Sequence, residues 1–153
     1  MKTIAAFALF FTINAGLLSA EPASKVGVLD KRALVVAYYR SPQFAQLLRE
    51  KHEAMRAAKA AGDTAKAEAL EKWGQSSQDL AHRQLEGKAR IDNILDELRP
   101  RFAEVAARAG VQEIVTEAKP GQTRVDVTEQ FLEILKADEK TRKVIDEVRN
   151  LRH

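Results

Sequence analysis

The chain has no cysteine among its 153 residues. That excludes disulfide staples, thiol nucleophiles and cysteine metal sites, and leaves apolar burial to hold the fold together. Aromatics are also scarce: six Phe, two Tyr and one Trp. Phe7, Phe10 and Phe11 fall in the first twenty residues, so Tyr38, Tyr39, Phe44, Trp73, Phe102 and Phe131 serve everything after them. So thin a supply argues against a deep core in a lone monomer and for an elongated shape, an oligomer, or both. An excess of one charge is missing too. With 25 Lys and Arg against 22 Asp and Glu, the formal charge is +3, which does not call for a nucleic-acid partner. Serine-nucleophile elbows, phosphate-cradling glycine loops and zinc-peptidase helices are absent, and there is no internal repeat. These absences point to a protein that is not an enzyme and uses no cofactor.

Long apolar runs are rare as well, and the one present is informative. Residues 4–18 carry no charge but include Thr12, Asn14 and Gly16, and they fall short of the ~20 apolar residues that a membrane-spanning helix needs. Lys2 precedes the run, and Leu18-Ser19-Ala20 closes it. This is the three-part layout of a secretory signal peptide, expected to be cleaved after Ala20. Removing 20 of 153 residues leaves 133, enough for one domain. No cysteine near the cut could carry a lipid, and no membrane span remains after removal.

Beyond Ala20 the chain alternates short valine-rich runs with helical stretches. Residues 25–30 form a strand, and Asp30 caps a helix over 31–40. Ser41-Pro42 starts the next helix, with serine as the cap and proline in the first turn. Gly62-Asp63 then ends one helix and caps another, so residues 42–61 and 64–86 fold back as a helical hairpin. Leu70, Trp73, Ser77, Leu80 and Gln84 keep coiled-coil spacing. Ser77 and Gln84 are polar and Gly74 weakens the helix, which predicts a defective seam. The helical stretch 89–109 carries the most regular apolar stripe, from Ile91 to Val105, and Pro100 should kink it or begin a new helix after Arg99. Two short strands are expected at 111–116 and 124–127, joined by a loop through Lys119-Pro120-Gly121. Thr128 caps a helix over 128–136, and a last amphipathic helix covers 139–151.

The polar residues suggest no catalytic centre. His52 and His82 lie on opposite arms of the hairpin and His153 is terminal, so the three read as solvated surface histidines. The pairs Asp92 with Asp96 and Glu113 with Glu117 sit on exposed faces with basic neighbours. Phe44, Met55 and Trp73 fill the seam between the arms, or some of them face the inside of an oligomer and touch apolar clients; Leu48 and Leu70 join them as client-contact candidates.

In its order of segments the chain resembles the OmpH/Skp-like periplasmic chaperones. The resemblance rests on Val26-Gly27-Val28-Leu29-Asp30 with Leu34, Tyr38 and Ser41, and on Ile91-Asp92-Asn93-Ile94-Leu95 with Leu98, Pro100, Val105-Ala106 and Gly110-Val111. Ile114-Val115 and Val125-Asp126-Val127-Thr128 with Phe131-Leu132 complete it. It implies a homotrimer in the periplasm, with strands from three chains forming a small body and hairpins projecting around a cavity for unfolded outer-membrane proteins. It also admits lipopolysaccharide as a ligand. The hairpin is short for the pattern, and residues 49–72 carry six basic against five acidic residues, so electrostatic capture is weak.

The expected fold is therefore mainly α with a small β body: a long helical hairpin (42–86) projecting from an oligomerisation body (25–41 and 88–153) within a single domain, 21–153. Val26, Val28, Ile114, Val115, Val125 and Val127 are the residues assigned to oligomerisation, because three short strands hold few core side chains. The expected function is that of an ATP-independent holdase for unfolded outer-membrane proteins. The alternative is a non-enzymatic structural or adaptor protein of the envelope with one defined partner.

Overall fold

The computed structural model describes residues 24–151, so the export segment 1–20 and His153 lie outside the described residues. The described chain is mainly helical with one small parallel sheet, an α+β arrangement. Strand β1 (Lys25–Val28) leads into α1 (Lys31–Tyr39), then α2 (Pro42–Ala60) and α3 (Thr64–Leu85). Next come α4 (Asp92–Leu98), a 3-10 turn (Arg99–Arg101), α5 (Phe102–Ala109) and β2 (Glu113–Val115). Strand β3 (Thr123–Asp126) and helices α6 (Thr128–Ile134) and α7 (Glu139–Asn150) complete the chain.

The sheet order is β2-β1-β3, and both outer strands run parallel to the central one. Gly27 faces Ile114 on one side and Val125 on the other. The two strands joined by the 116–122 loop are therefore not paired with each other. Strands this short permit it, because seven residues at ~3.3 Å each can return along a three-residue strand and still cross β1. The N–H of Thr123 donates to the Ser24 carbonyl at 3.0 Å, and that of Gln112 to Lys25 at 2.9 Å, which fixes both outer strands at their starts.

The core lies between this sheet and α1, α4, α5, α6 and α7. Helix α1 is enclosed: Ala33 to Tyr38 are six consecutive buried residues. Val26, Leu34, Ile94, Val105, Val127 and Phe131 have essentially no exposed surface. The Phe102 and Phe131 rings meet edge to face at 5.5 Å, so two of the few aromatics are spent on one contact. Val26 and Val127 are expected from the sequence to serve oligomerisation, yet one chain already encloses both. Val28, Ile114, Val115 and Val125 are half-buried, with Ile114 and Val125 packed against the same core.

The break expected at Pro100 is present: the chain tightens into the 3-10 turn around this residue, which has no N–H to donate and whose ring crowds the preceding turn, and α5 begins after it. Two local expectations change. Helix α4 starts at Asp92 rather than at residue 89. Thr128 does not cap α6. It is the first helical residue, its own N–H donates to Asp126 Oδ1 at 2.8 Å, and its hydroxyl accepts from the Asp30 N–H at 2.9 Å. The Asp30 amide needs an acceptor, and the neighbouring hydroxyl supplies one across 98 residues of sequence. Asp30 does cap α1 as expected, accepting from Arg32 and Ala33 N–H, while Arg149 reaches its second oxygen at 3.1 Å.

Candidate functional site

The hairpin is built by local signals that act as expected. Ser41 Oγ accepts from the Phe44 N–H at 3.1 Å, and Pro42 occupies the first position of α2. At the far end Gly62 takes φ 70°, a left-handed conformation that admits glycine without strain. Asp63 then caps α3 through the Lys66 N–H at 3.0 Å. Because the turn is so tight, α2 and α3 run antiparallel in contact.

Each arm turns one face to the other. The covered positions on α3 recur at three- and four-residue spacing through Ala67, Leu70, Trp73, Ser77, Leu80 and Gln84. This is the spacing expected from the sequence. Near the tip, Ala58 and Ala67 are 4 % and 5 % exposed, small side chains that let the two backbones close together. Midway, the Lys51 ammonium lies 5.4 Å from the centre of the Trp73 ring. Lys51 is half-buried, with its charge over the indole face.

The five client-contact candidates do not share one environment. Leu48, Met55, Leu70 and Trp73 are half-buried along the arms, and Met55 also borders a shallow depression of about 450 Å³ with Arg49, His52, Glu53 and Arg56. Phe44 is committed elsewhere. Its ring lies 4.8 Å from Tyr39 and 5.5 Å from Tyr38, in an aromatic triad packed against the core at the base of the hairpin. His52 and His82 are exposed. Among the described residues no cluster of His, Cys, Asp and Glu could hold a metal ion, and no helix is long and apolar enough to cross a membrane.

Gln84 overturns its assignment as a seam defect. It is 2 % exposed. Its amide nitrogen donates to the Arg90 carbonyl and to Asn93 Oδ1, both at 2.6 Å, and its oxygen accepts from the Tyr39 hydroxyl at 2.9 Å. One side chain thus ties α3 to α1 and to the start of α4. Alongside it, the Tyr38 hydroxyl donates to Glu97 at 2.8 Å. Burial, then this bond to a carboxylate, pushes the Tyr38 hydroxyl well above the ordinary tyrosine range. Burial also raises Tyr39. The joint is therefore aromatic on its apolar side and fully hydrogen-bonded on its polar side. Sequence spacing places Gln84 on the seam correctly, but carries no sign of the loop that supplies its partners.

No protein-family profile, curated protein or solved structure matches this chain.

Proposed function

We propose that this protein is an exported, ATP-independent holdase of the OmpH/Skp-like kind that shields unfolded outer-membrane proteins in the periplasm. The observation that carries this reading is the hairpin. Two helices of 19 and 22 residues leave Leu48, Met55, Leu70 and Trp73 only half-buried, beside a body that has its own core. Those side chains are flexible or broad and apolar, and suit weak contacts with many shapes. A barrel protein in transit exposes alternating apolar residues and unpaired strand edges, and a surface of this kind can cover them without reading a sequence. In the full proposal the signal peptide is removed after Ala20, the hairpins project from a trimeric body joined through β2 and β3, and lipopolysaccharide is a further ligand. The chemistry is binding, without catalysis or cofactor.

A second reading, an envelope adaptor with one partner, draws on a specific observation. Among the described residues Leu151 is the one large hydrophobic left exposed, so little apolar surface is displayed without some opening of the hairpin. The two readings separate on client breadth. Residues 55–73 are replaced by a short glycine-serine turn, the solution mass is compared with that of the intact protein, and aggregation of several unrelated unfolded barrels is tracked by light scattering. The holdase reading expects the intact protein to protect all of them and the shortened, still-assembled protein to lose most of that protection. Full protection by the shortened protein refutes the hairpin as the working surface, and protection of none by the intact protein leaves the adaptor.

A further inference from the structure

Sulfur is nearly absent from this chain, which has no cysteine and two methionines, Met1 and Met55. Met1 belongs to the export segment, so Met55 carries the one sulfur atom found after Ala20. Its side chain is half-buried and borders the depression of about 450 Å³ formed with Arg49, His52, Glu53 and Arg56. A small oxidant can approach it there from solvent, and no thiol in the chain competes for that oxidant.

The position of Met55 gives that chemistry a mechanical consequence. Beyond Leu48 the covered face of α2 reads Lys51, Ala54, Met55 and Ala58, and that of α3 reads Ala67, Leu70, Trp73 and Gly74. The outer half of the hairpin therefore holds three large apolar side chains, and Met55 is the only one that α2 contributes. Lys51 lies over the Trp73 ring. One turn further along α2, and three residues back along α3, Met55 comes level with Leu70. The base of the hairpin is fixed differently, by the Phe44 triad and the three hydrogen bonds of Gln84. The arms can thus part at their outer half while the joint stays closed.

We propose that Met55 is an oxidation-operated latch: conversion to its sulfoxide opens the outer half of the hairpin and raises capture of unfolded chains. The gain in capture rests on the holdase reading, whereas the opening does not. With hydrogen peroxide as oxidant, the thioether sulfur attacks one peroxide oxygen, so an S–O bond forms and the O–O bond breaks. The proton on the transferred oxygen passes to the departing hydroxide, which leaves as water. Sulfur is oxidised by two electrons and the peroxide is reduced by two. A flexible apolar side chain thereby becomes a polar one with a strong acceptor oxygen. Lys51 and Met55 are neighbours one turn apart on α2, so that oxygen competes with the Trp73 ring for the Lys51 ammonium. A sulfoxide without a partner is unfavourable in an apolar seam, and parting the arms returns it to water. Closed, the described residues expose one large hydrophobic, Leu151. Opened, they add Leu70 and Trp73.

The test treats the full chain and its Met55→Leu variant in parallel with hydrogen peroxide, at a dose that fully oxidises free N-acetylmethionine. Any effect at Met1 is common to both. Peptide mass reports the oxygen gained at Met55, hydrogen exchange reports opening of residues 49–73, and light scattering reports protection of an unfolded barrel protein. Met55→Gln, left untreated, supplies a polar side chain at the same place without oxidant. In the treated parent, exchange across the outer hairpin should quicken by about tenfold or more while residues 84–98 at the joint hold. Emission of the single tryptophan should move to longer wavelength, and protection should rise about twofold or more in the same sample. Met55→Gln should show the same changes, Met55→Leu none of them, and a methionine sulfoxide reductase with dithiothreitol should reverse them in the parent. Faster exchange with no protection by either form removes the holdase reading and leaves the latch standing. Met55 left unmodified at that dose, unchanged exchange in the oxidised parent, or equal changes in Met55→Leu overturns the latch. Protection that is present before treatment and fails to rise with opening overturns its link to capture.

Discussion

Replacing Gln84 tests the joint most directly, because two readings of the same residue predict opposite signs. If Gln84 were a polar flaw in a helical seam, Gln84→Leu would complete the apolar stripe and stabilise the protein. The geometry predicts the reverse. Gln84→Ala removes hydrogen bonds to the Arg90 carbonyl, Asn93 and the Tyr39 hydroxyl. At ~1 kcal/mol net for each bond, the loss is ~3 kcal/mol. Gln84→Leu loses the same bonds but regains ~1 kcal/mol or more through apolar burial, for a net cost of ~1–2 kcal/mol. With a urea dependence of ~2 kcal/mol per molar for a domain of this size, the alanine variant should unfold ~1.5 M earlier and the leucine variant ~0.5–1 M earlier. The assay is urea unfolding monitored by circular dichroism at 222 nm, at one protein concentration throughout, because any assembly would make stability concentration-dependent. Ser77→Ala is the control. Ser77 is half-buried without a side-chain hydrogen bond among the described residues, and alanine is the better helix former, so its midpoint should hold or rise slightly. A Gln84→Leu midpoint at or above that of the parent protein would refute the clamp.

Further expectations concern the sheet, the aromatic triad and the seam. A Cβ at Gly27 would meet Val127 Cγ2 at 3.0 Å and Cγ1 at 3.1 Å, so Gly27→Ala should cost ~1–3 kcal/mol in the same urea assay, even though its backbone angles suit any residue. Tyr38→Phe should cost ~1 kcal/mol at neutral pH through loss of the bond to Glu97. Because the folded Tyr38 hydroxyl is raised above its ordinary value of 10.0, the stability it contributes is complete below pH 10 and is lost as pH rises beyond it. The decline of the unfolding midpoint above pH 10 should therefore be shallower in Tyr38→Phe than in the parent protein. Lys51→Met removes the cation over Trp73 at a cost of ~0.5–1 kcal/mol, and should shift the emission of this single tryptophan while leaving the helical signal unchanged.

Much of the architecture is legible in the sequence because its signals are local. Asp30, Ser41 and Asp63 announce helix starts through short side chains that accept from the amides two or three residues ahead. Gly62 announces a stop through a backbone angle that other residues resist. The spacing of Ala67, Leu70, Trp73, Ser77, Leu80 and Gln84 identifies the covered face of α3, because a helix returns to the same side every three to four residues. These interactions close within one or two turns, so the order of residues is enough to determine them.

Tertiary structure alone decided what depends on distant partners. Whether Gln84 is a flaw or a clamp turns on the Tyr39 hydroxyl and on a loop that comes round beneath it. Whether Thr128 caps its own helix or serves Asp30 turns on 98 intervening residues. Phe44 belongs to the core rather than to an open surface because α1 presents Tyr38 and Tyr39 beside it. The fate of Val26 and Val127 obeys the same rule, since one chain closes over them once three short strands lie parallel around Gly27. A sequence specifies the faces of its elements through periodicity, but which faces meet, and which polar groups find each other there, is settled only when the chain has packed.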